Sequence, residues 1–121
     1  MKIQYRLDEV TNNLDVYTIT SPKVLASDVE EELPNLAQII QDTLASTHKQ
    51  AIGLDLSNIE FMSSAVYGRL LLATDRKARG QGKNFLIIGL NRHLTDAVHQ
   101  MKLDKLLGIY TTREQAAQQY Q

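Results

Sequence analysis

The chain contains no cysteine in its 121 residues, so disulfides, thiolate catalysis and cysteine-ligated metal sites are excluded together. It has no marked charge excess, because 13 lysines and arginines face 14 aspartates and glutamates, and general binding to nucleic acid or to a membrane surface is not expected. No apolar run approaches the roughly eighteen residues of a membrane span, and the N-terminal residues show no apolar signal-peptide core. These absences predict a cytoplasmic protein.

Motifs of enzymes and metal sites are also missing. His48, His93 and His99 have no histidine partner one helical turn away and no neighbouring cluster of carboxylates, so a metal site is not expected. The glycine-rich residues 80–83 follow a predicted helix and precede a predicted strand, which reverses the order of a phosphate-binding loop. Neither serine of the pair at 63–64 lies in a G-x-S-x-G motif. The sequence therefore predicts a protein that is not an enzyme.

What is present is typical of one soluble globular domain, with 43% hydrophobic and 22% charged residues. No repeat, low-complexity tract or linker divides residues 1–121, so we expect a single domain. Periodicity predicts strands at 3–7, 14–20, 51–56, 83–90 and 106–110, with helices at 64–79 and 112–120 and along the apolar stripes 36–44 and 94–101. The predicted fold class is α/β, a mixed β-sheet of four to five strands with about four helices packed over it.

Local signals set the ends of several elements. The first two strands are expected to form a hairpin, with a turn at residues 11–13. Asn91 is predicted to cap the helix that follows it, and Thr112 with Gln115 fits a capping box for the last helix. Pro34 is expected near the start of its helix or at a kink, because proline removes a backbone donor.

The most informative segment is residues 52–68, where an apolar strand runs into a turn and a serine pair then opens a helix. Ser63 or Ser64 can cap that helix by accepting a hydrogen bond from a backbone N–H. The same position suits a phosphate, because the first turn has free N–H groups and the positive end of the helix dipole. The serine pair is thus either a simple cap or a phosphorylation site.

The residues around the pair favour the second interpretation. The sequence DLS at 55–57 is followed by FMSSAVYG at 61–68, and farther on by GQGK, FLII and MKLDKL in that order. This arrangement resembles the STAS domain family, and within it the anti-sigma factor antagonists of bacterial partner switching, over residues 15–117. The register of the resemblance places Ser64 on the serine that the family's kinase phosphorylates, with Ser63 on the family's aspartate and Val66 on a glycine.

The resemblance implies a STAS-like fold and a regulatory role. The chain would bind an anti-sigma factor with serine kinase activity while unphosphorylated, and phosphorylation of Ser64, with Ser63 as the alternate, would release it. A serine phosphatase would reverse the modification, and the chain would be a monomer or weak dimer. The nucleotide would belong to the kinase, so the chain itself would need no cofactor. The implied partner-binding residues are Ser21, Pro22, Lys23, Val24, Ser63, Ala65, Tyr67 and Gly68, and all of them except Ala65 are expected on an exposed rim.

Charge is unevenly distributed around this site. Residues 23–44 carry one cation and five acids, whereas residues 64–83 carry five cations and one acid. The pattern favours either a docking surface that orients a partner or two solvated helix faces.

Three other functions stay open. The first is a STAS interaction scaffold that is not phosphorylated, and the second is a small anion- or nucleotide-binding module. The third is a receiver-like phosphoacceptor domain that uses Asp8, Glu9, Asp55 and Lys105, although the predicted hairpin argues against it. We instead expect Asp55 to accept hydrogen bonds at the strand end and to order the loop at 57–61.

Overall fold

The computed structural model describes residues 3–21, 26–59 and 64–121, and the side chains of residues 26–30 and 64–67 lie outside that description. Strands and helices alternate after an initial hairpin. In chain order they are β1 (Tyr5–Thr11), β2 (Leu14–Ile19), α1 (Ala26–Ser46), β3 (Ala51–Asp55), α2 (Ser64–Gly80), β4 (Asn84–Ile88), α3 (Arg92–Gln100), a 3-10 turn (Leu103–Lys105), β5 (Gly108–Tyr110) and α4 (Arg113–Gln119).

The strands form one five-stranded sheet whose spatial order is the chain order. β1 and β2 pair antiparallel as the predicted hairpin, with a bulge between Glu9 and Thr11. β2, β3, β4 and β5 then pair in parallel, with Val16 opposite Gly53 and Gly53 opposite Leu86. The predicted α/β fold class and mixed sheet are confirmed.

The sheet is covered on both faces, which explains why β3 is buried along its whole length. The larger core lies between one face and the helices α1, α2 and α3, and the smaller core lies under α4. The larger core includes Leu36, Ile40, Leu44, Ile52, Leu54, Leu71, Phe85, Ile87, Leu94 and Val98, and the smaller includes Leu14, Val16, Ala51, Leu86, Ile88 and Ala116.

Several element boundaries differ from the sequence prediction for identifiable reasons. β4 ends at Ile88 because Gly89 has a positive φ of 79°, which leaves the extended conformation. β5 begins only at Gly108, since the 3-10 turn occupies part of the preceding segment. Pro34, expected near a helix start or at a kink, lies in the interior of α1, more than one turn past the first residue of that helix.

The helix caps largely follow the sequence. Asn91 Oδ1 accepts from Leu94 N at 2.8 Å, as predicted. Thr112 Oγ1 accepts from Gln115 N at 3.3 Å, but Gln115 Oε1 accepts from Thr111 N at 3.0 Å instead of from Thr112 N. The second half of the capping box is therefore shifted by one residue.

A long-range cap at the end of α1 was not predicted. Lys83 Nζ, on the connection between α2 and β4, donates to Leu44 O at 2.9 Å and to Thr47 O. The last carbonyls of a helix carry partial negative charge, and the last turn of α1 has no basic residue of its own.

We expect Lys83→Met to lower the free energy of unfolding by about 1 kcal/mol, because these carbonyls lose a charged donor. Urea unfolding of the variant measures the loss. Lys77→Met, at an exposed position of α2, is the control and should change stability by less than about 0.5 kcal/mol. Equal effects of the two substitutions would contradict the capping role.

Candidate functional site

The candidate site lies at the carboxyl ends of the parallel strands. The connections that follow β2 and β3 leave the sheet at this edge, and the second of them leads to α2. Ser64, the predicted phosphoacceptor, is the first residue of α2, and its side chain lies outside the described residues. Sequence analysis thus placed Ser64 correctly at a helix start, and Ser63 falls outside the described residues.

The described part of the β3–α2 connection, residues 56–59, is tied to the sheet on both sides. Leu56 N donates to Ile88 O at 2.9 Å, and Ile59 N closes a turn onto Leu56 O at 2.9 Å. Asn58 Nδ2 donates to Ile19 O at 2.9 Å, at the end of β2. Asn91 Nδ2 donates to Ile59 O at 3.2 Å, so the residue that caps α3 also holds this connection. We call residues 56–59 the switch loop.

Asp55, the last residue of β3, makes two separate sets of contacts. Its Oδ1 accepts from Ser57 N at 2.9 Å and from Ser57 Oγ at 2.6 Å, which closes a local turn at the beginning of the switch loop. Its Oδ2 accepts from Arg113 Nε and Nη2, each at 3.2 Å. These contacts support the predicted role of Asp55 in ordering the loop, and the role itself stays a prediction.

Arg113 extends the site to the first strand and the last helix. Its Nη1 donates to Asp8 Oδ2 at 2.9 Å, and its Nη2 also donates to Thr18 Oγ1. Thr18 Oγ1 donates in turn to Asp8 Oδ2 at 3.0 Å, and Arg6 Nε approaches Asp8 Oδ1 at 2.9 Å. β1, β2, β3 and α4 therefore meet in one network of charged hydrogen bonds.

The network shifts the protonation of its members. Partial burial raises the pKa of the Asp8 carboxyl, but hydrogen bonds from Arg113, Arg6 and Thr18 lower it more, so the pKa lies below its ordinary value. Burial lowers the pKa of Arg113, and the bonds to Asp8 and Asp55 outweigh that effect. Both groups are thus held in their charged forms.

Sequence analysis missed Arg113, because it is separated from its partners by most of the chain. One signal was available, since Arg113 occupies the first position of α4, where the helix dipole disfavours a cation. A cation at that position indicates contacts outside its own helix.

Gly89 packs against the switch loop from the β4 side. Its φ is 79°, and a Cβ at this position would lie 3.0 Å from Ser57 Cβ and 3.2 Å from Asp55 Oδ1. Only glycine combines this backbone conformation with so close an approach. The turn that Asp55 forms with Ser57 is therefore enclosed by backbone on one side.

Two residues of the predicted exposed rim are buried, and that part of the prediction is wrong. Ser21 is 7% exposed, because its Oγ accepts from Gln4 N at 2.8 Å between the chain start and the end of β2. Gly68 is buried because α2 packs there on the segment after α3, where an added Cβ would lie 2.8 Å from Met101 Sδ. Whether either contacts a partner stays a prediction.

The remaining predicted partner-binding residues are only partly placed. Ala65 and Tyr67 lie on the first turns of α2, with side chains outside the described residues. Pro22, Lys23, Val24 and Ser63 fall outside the described residues altogether.

The geometry does not match the receiver-like alternative. Asp55 contacts Arg113, whereas Lys105 is exposed in the 3-10 turn. Asp8 lies within β1, which forms a hairpin with β2 as predicted, and it is bonded to Arg113 and Arg6. Among the side chains that the structure describes, no three from histidine or acidic residues are grouped to hold a metal ion. No helix in the described part of the chain is long and apolar enough to cross a bilayer.

The pKa values of two carboxylates, Asp8 in β1 and Asp75 in α2, are shifted in opposite directions. The pKa of Asp8 is lowered on folding, so its contribution to stability is present above about pH 4 and is lost as the pH falls through the lowered pKa. Burial raises the pKa of Asp75 in α2 despite the 3.0 Å ion pair with Arg79, so ionised Asp75 opposes folding at neutral pH.

We therefore expect Asp8→Asn to lower the thermal stability at pH 7 and to reduce its decline below pH 4. Asp75→Asn should leave stability at pH 7 unchanged or raise it, by up to about 1 kcal/mol, since Arg79 is mostly exposed and stays hydrated. Melting curves between pH 3 and pH 7 test both. If both substitutions lowered the stability at pH 7 equally, the opposite contributions assigned to ionised Asp8 and ionised Asp75 would be contradicted.

Known proteins share this architecture. A family model described as "Mlab, STAS domain" matches residues 26–108. The structure of an anti-sigma factor antagonist from Mycobacterium paratuberculosis superposes with a TM-score of 0.74 at 22% identity, covering 98% of this chain and 93% of that one.

Two further structures agree. An anti-sigma-factor antagonist (STAS) domain protein from Planctomyces limnophilus gives a TM-score of 0.70 at 15% identity, over 94% of this chain and 93% of that one. The Bacillus cell fate determinant SpoIIAA in its phosphorylated form gives 0.66 at 15% identity, over 98% of this chain and 100% of that one. At these identities the likeness shows the fold, which is the one the sequence predicted.

Proposed function

Because the chain belongs to the STAS domain family, we propose that it is an anti-sigma factor antagonist of a bacterial partner-switching pathway. In its unphosphorylated form it binds an anti-sigma factor with serine kinase activity, which frees the sigma factor. Phosphorylation of Ser64 then releases the partner. The likeness to antagonist structures supports this role.

The observation that carries the proposal is the position of Ser64 at the first residue of α2. The first turn of a helix offers N–H groups without intrahelical partners, and the helix dipole favours negative charge there. A phosphoryl group on this serine, with about −1.5 to −2 charge, is therefore accommodated by the chain's own backbone. The fold need not change when Ser64 is modified.

The partner, by contrast, would meet the phosphoryl group directly. A bulky anion that is buried at an interface without a cationic partner costs several kcal/mol, because its hydration is lost and not replaced. Phosphorylation would thus separate the two proteins while each stays folded. The fold of the chain would stay the same, and the loss of affinity would arise at its interface with the anti-sigma factor.

The exposed side of α2, the helix that begins at Ser64, fits a partner that carries acidic groups. Arg69, Arg76 and Lys77 are exposed on α2. The one acid of this helix, Asp75, is 7% exposed and paired with Arg79. A surface of one sign orients an oppositely charged partner and raises its association rate.

The test is a pull-down from the source bacterium's extract with the wild-type chain, Ser64→Ala and Ser64→Glu as parallel baits. Mass spectrometry should identify an anti-sigma factor with an ATP-binding kinase domain on the wild-type and Ser64→Ala baits, and not on Ser64→Glu. Gln81→Glu adds one negative charge at an exposed site beyond the other end of α2 and should retain the partner. Binding of the same proteins to all four baits would overturn the proposal.

One observation favours a second candidate, a STAS scaffold that is not phosphorylated. Ser63 stands where the family has an aspartate, so the fixed negative charge beside the phosphoacceptor is missing. For a scaffold, Ser64→Glu should leave complex formation intact.

A further inference from the structure

The contacts of Asp55 connect two distant parts of the chain through one carboxylate. Oδ1 receives both donors from Ser57, and Oδ2 receives both donors from Arg113. Ser57 belongs to the switch loop, whereas Arg113 opens α4 at the end of the chain. A displacement of Arg113 would therefore reorient the Asp55 side chain and alter its hydrogen bonds to Ser57.

Asp55 depends on this cation, because the residue is 7% exposed and its side chain has little access to water. A buried carboxylate that loses its charged partner is strongly unfavourable, so it is expected to turn toward solvent. That movement would displace the acceptor that holds Ser57. Arg113 Nε and Nη2 both hold Oδ2, and Ser57 holds Oδ1, so the contacts at the two oxygens together set the orientation of the carboxylate.

The remaining contacts of Arg113 hold it in place from the opposite side. Asp8 and Thr18 bind Nη1 and Nη2 from β1 and β2, and Thr18 also bonds to Asp8. The helix itself is anchored without Arg113, by the Thr112 cap and by Ala116 in the smaller core. Arg113 is thus not required to attach α4, and its contacts are directed at the strand ends.

We infer that Arg113 is a positioning residue for the switch loop, acting through Asp55, and that it sets the affinity of the antagonist for its anti-sigma factor. The second half of this inference rests on the proposed function. The contact path runs from Arg113 to Asp55, from Asp55 to Ser57, and along the chain to the start of α2.

Amide hydrogen exchange measured by NMR tests the first half on the free protein. In Arg113→Gln, the Ser57 amide should exchange about tenfold faster than in the wild type, while core amides of β3 keep their protection. Arg6→Gln is the matched control, because Arg6 shares Asp8 with Arg113 but does not contact Asp55. Its Ser57 amide should exchange at the wild-type rate.

A double variant separates positioning from general destabilisation. Arg113→Gln combined with Asp55→Asn removes the buried charge but keeps a side-chain oxygen that accepts from Ser57 N. Protection at Ser57 should return to within about threefold of the wild type. If exchange at Ser57 is unchanged in Arg113→Gln, or rises only in step with every other amide and is not rescued in the double variant, positioning by Arg113 is refuted.

Titration calorimetry with the purified anti-sigma factor tests the second half. Arg113→Gln should bind at least tenfold more weakly than the wild type, and Arg6→Gln should bind equally well. Full affinity in Arg113→Gln together with faster Ser57 exchange would overturn the link to binding. If the wild type captures no anti-sigma factor at all, the proposed function fails, whereas the exchange data still decide whether Arg113 positions the loop.

Discussion

Replacing Ser64 by glutamate is expected to weaken binding of the purified anti-sigma factor by about a thousandfold, equivalent to roughly 4 kcal/mol. Glutamate carries less charge than a phosphoryl group, but it places an anion at the start of α2, which the partner would have to bury. The helix N-terminus stabilises that anion in the free protein, so the variant should fold normally. The loss therefore appears in the dissociation constant and not in the melting temperature.

Isothermal titration calorimetry of the wild type, Ser64→Ala and Ser64→Glu measures the effect, and thermal melting checks the fold of each. Ser64→Ala removes the hydroxyl without adding charge, so it should bind within about tenfold of the wild type. Gln81→Glu controls for the change in net charge and should bind like the wild type. If Gln81→Glu lost affinity for the anti-sigma factor as Ser64→Glu does, the effect would come from the change in net charge and not from an anion at the start of α2.

The second large effect is expected at Gly89, where alanine should lower the free energy of unfolding by about 2 to 3 kcal/mol. Two costs combine at this position. The left-handed backbone conformation, with φ at 79°, is unfavourable for any residue with a Cβ, and the added methyl would press against Ser57 Cβ at 3.0 Å. Because Ser57 cannot withdraw without giving up its bonds to Asp55, the switch loop must move.

Gly82 provides a matched control for this substitution. Its φ is 69°, close to that of Gly89, but a Cβ there would have no neighbour within 4 Å. Gly82→Ala should therefore lower the free energy of unfolding by about 1 kcal/mol, which is the contribution of the left-handed backbone alone. Urea unfolding of both variants gives the difference, which we assign to the contact with Ser57. Equal costs at the two glycines would show that the close approach at Gly89 contributes nothing.

The fold was largely predictable because its signals are local. Apolar alternation identified the hairpin, and the apolar stretch around 85–88 identified a strand that is buried on both faces. The cap at Asn91 and the helix start at Ser64 also depend only on residues a few positions apart. Such short-range rules hold wherever the tertiary structure does not oppose them.

The interactions that shape the site were not predictable, since they join residues far apart in the chain. Nothing near Arg113 in sequence indicates that it contacts Asp55, and nothing near Lys83 indicates that it caps α1. The burial of Gly68 likewise depends on where the segment after α3 returns to α2. Local patterns locate a candidate serine, whereas the network that holds its surroundings follows from the packing of the whole domain.

The most direct test of the switch is to form the complex of the chain with its purified anti-sigma factor and add ATP and Mg²⁺. Size-exclusion chromatography follows the complex, and peptide mass spectrometry locates the phosphoryl group. The account predicts that one phosphoryl group appears on Ser64 and that the complex dissociates in proportion to its occupancy, whereas the Ser64→Ala complex persists. A complex that survives full phosphorylation of Ser64, or a wild-type chain that dissociates without being phosphorylated there, would contradict it.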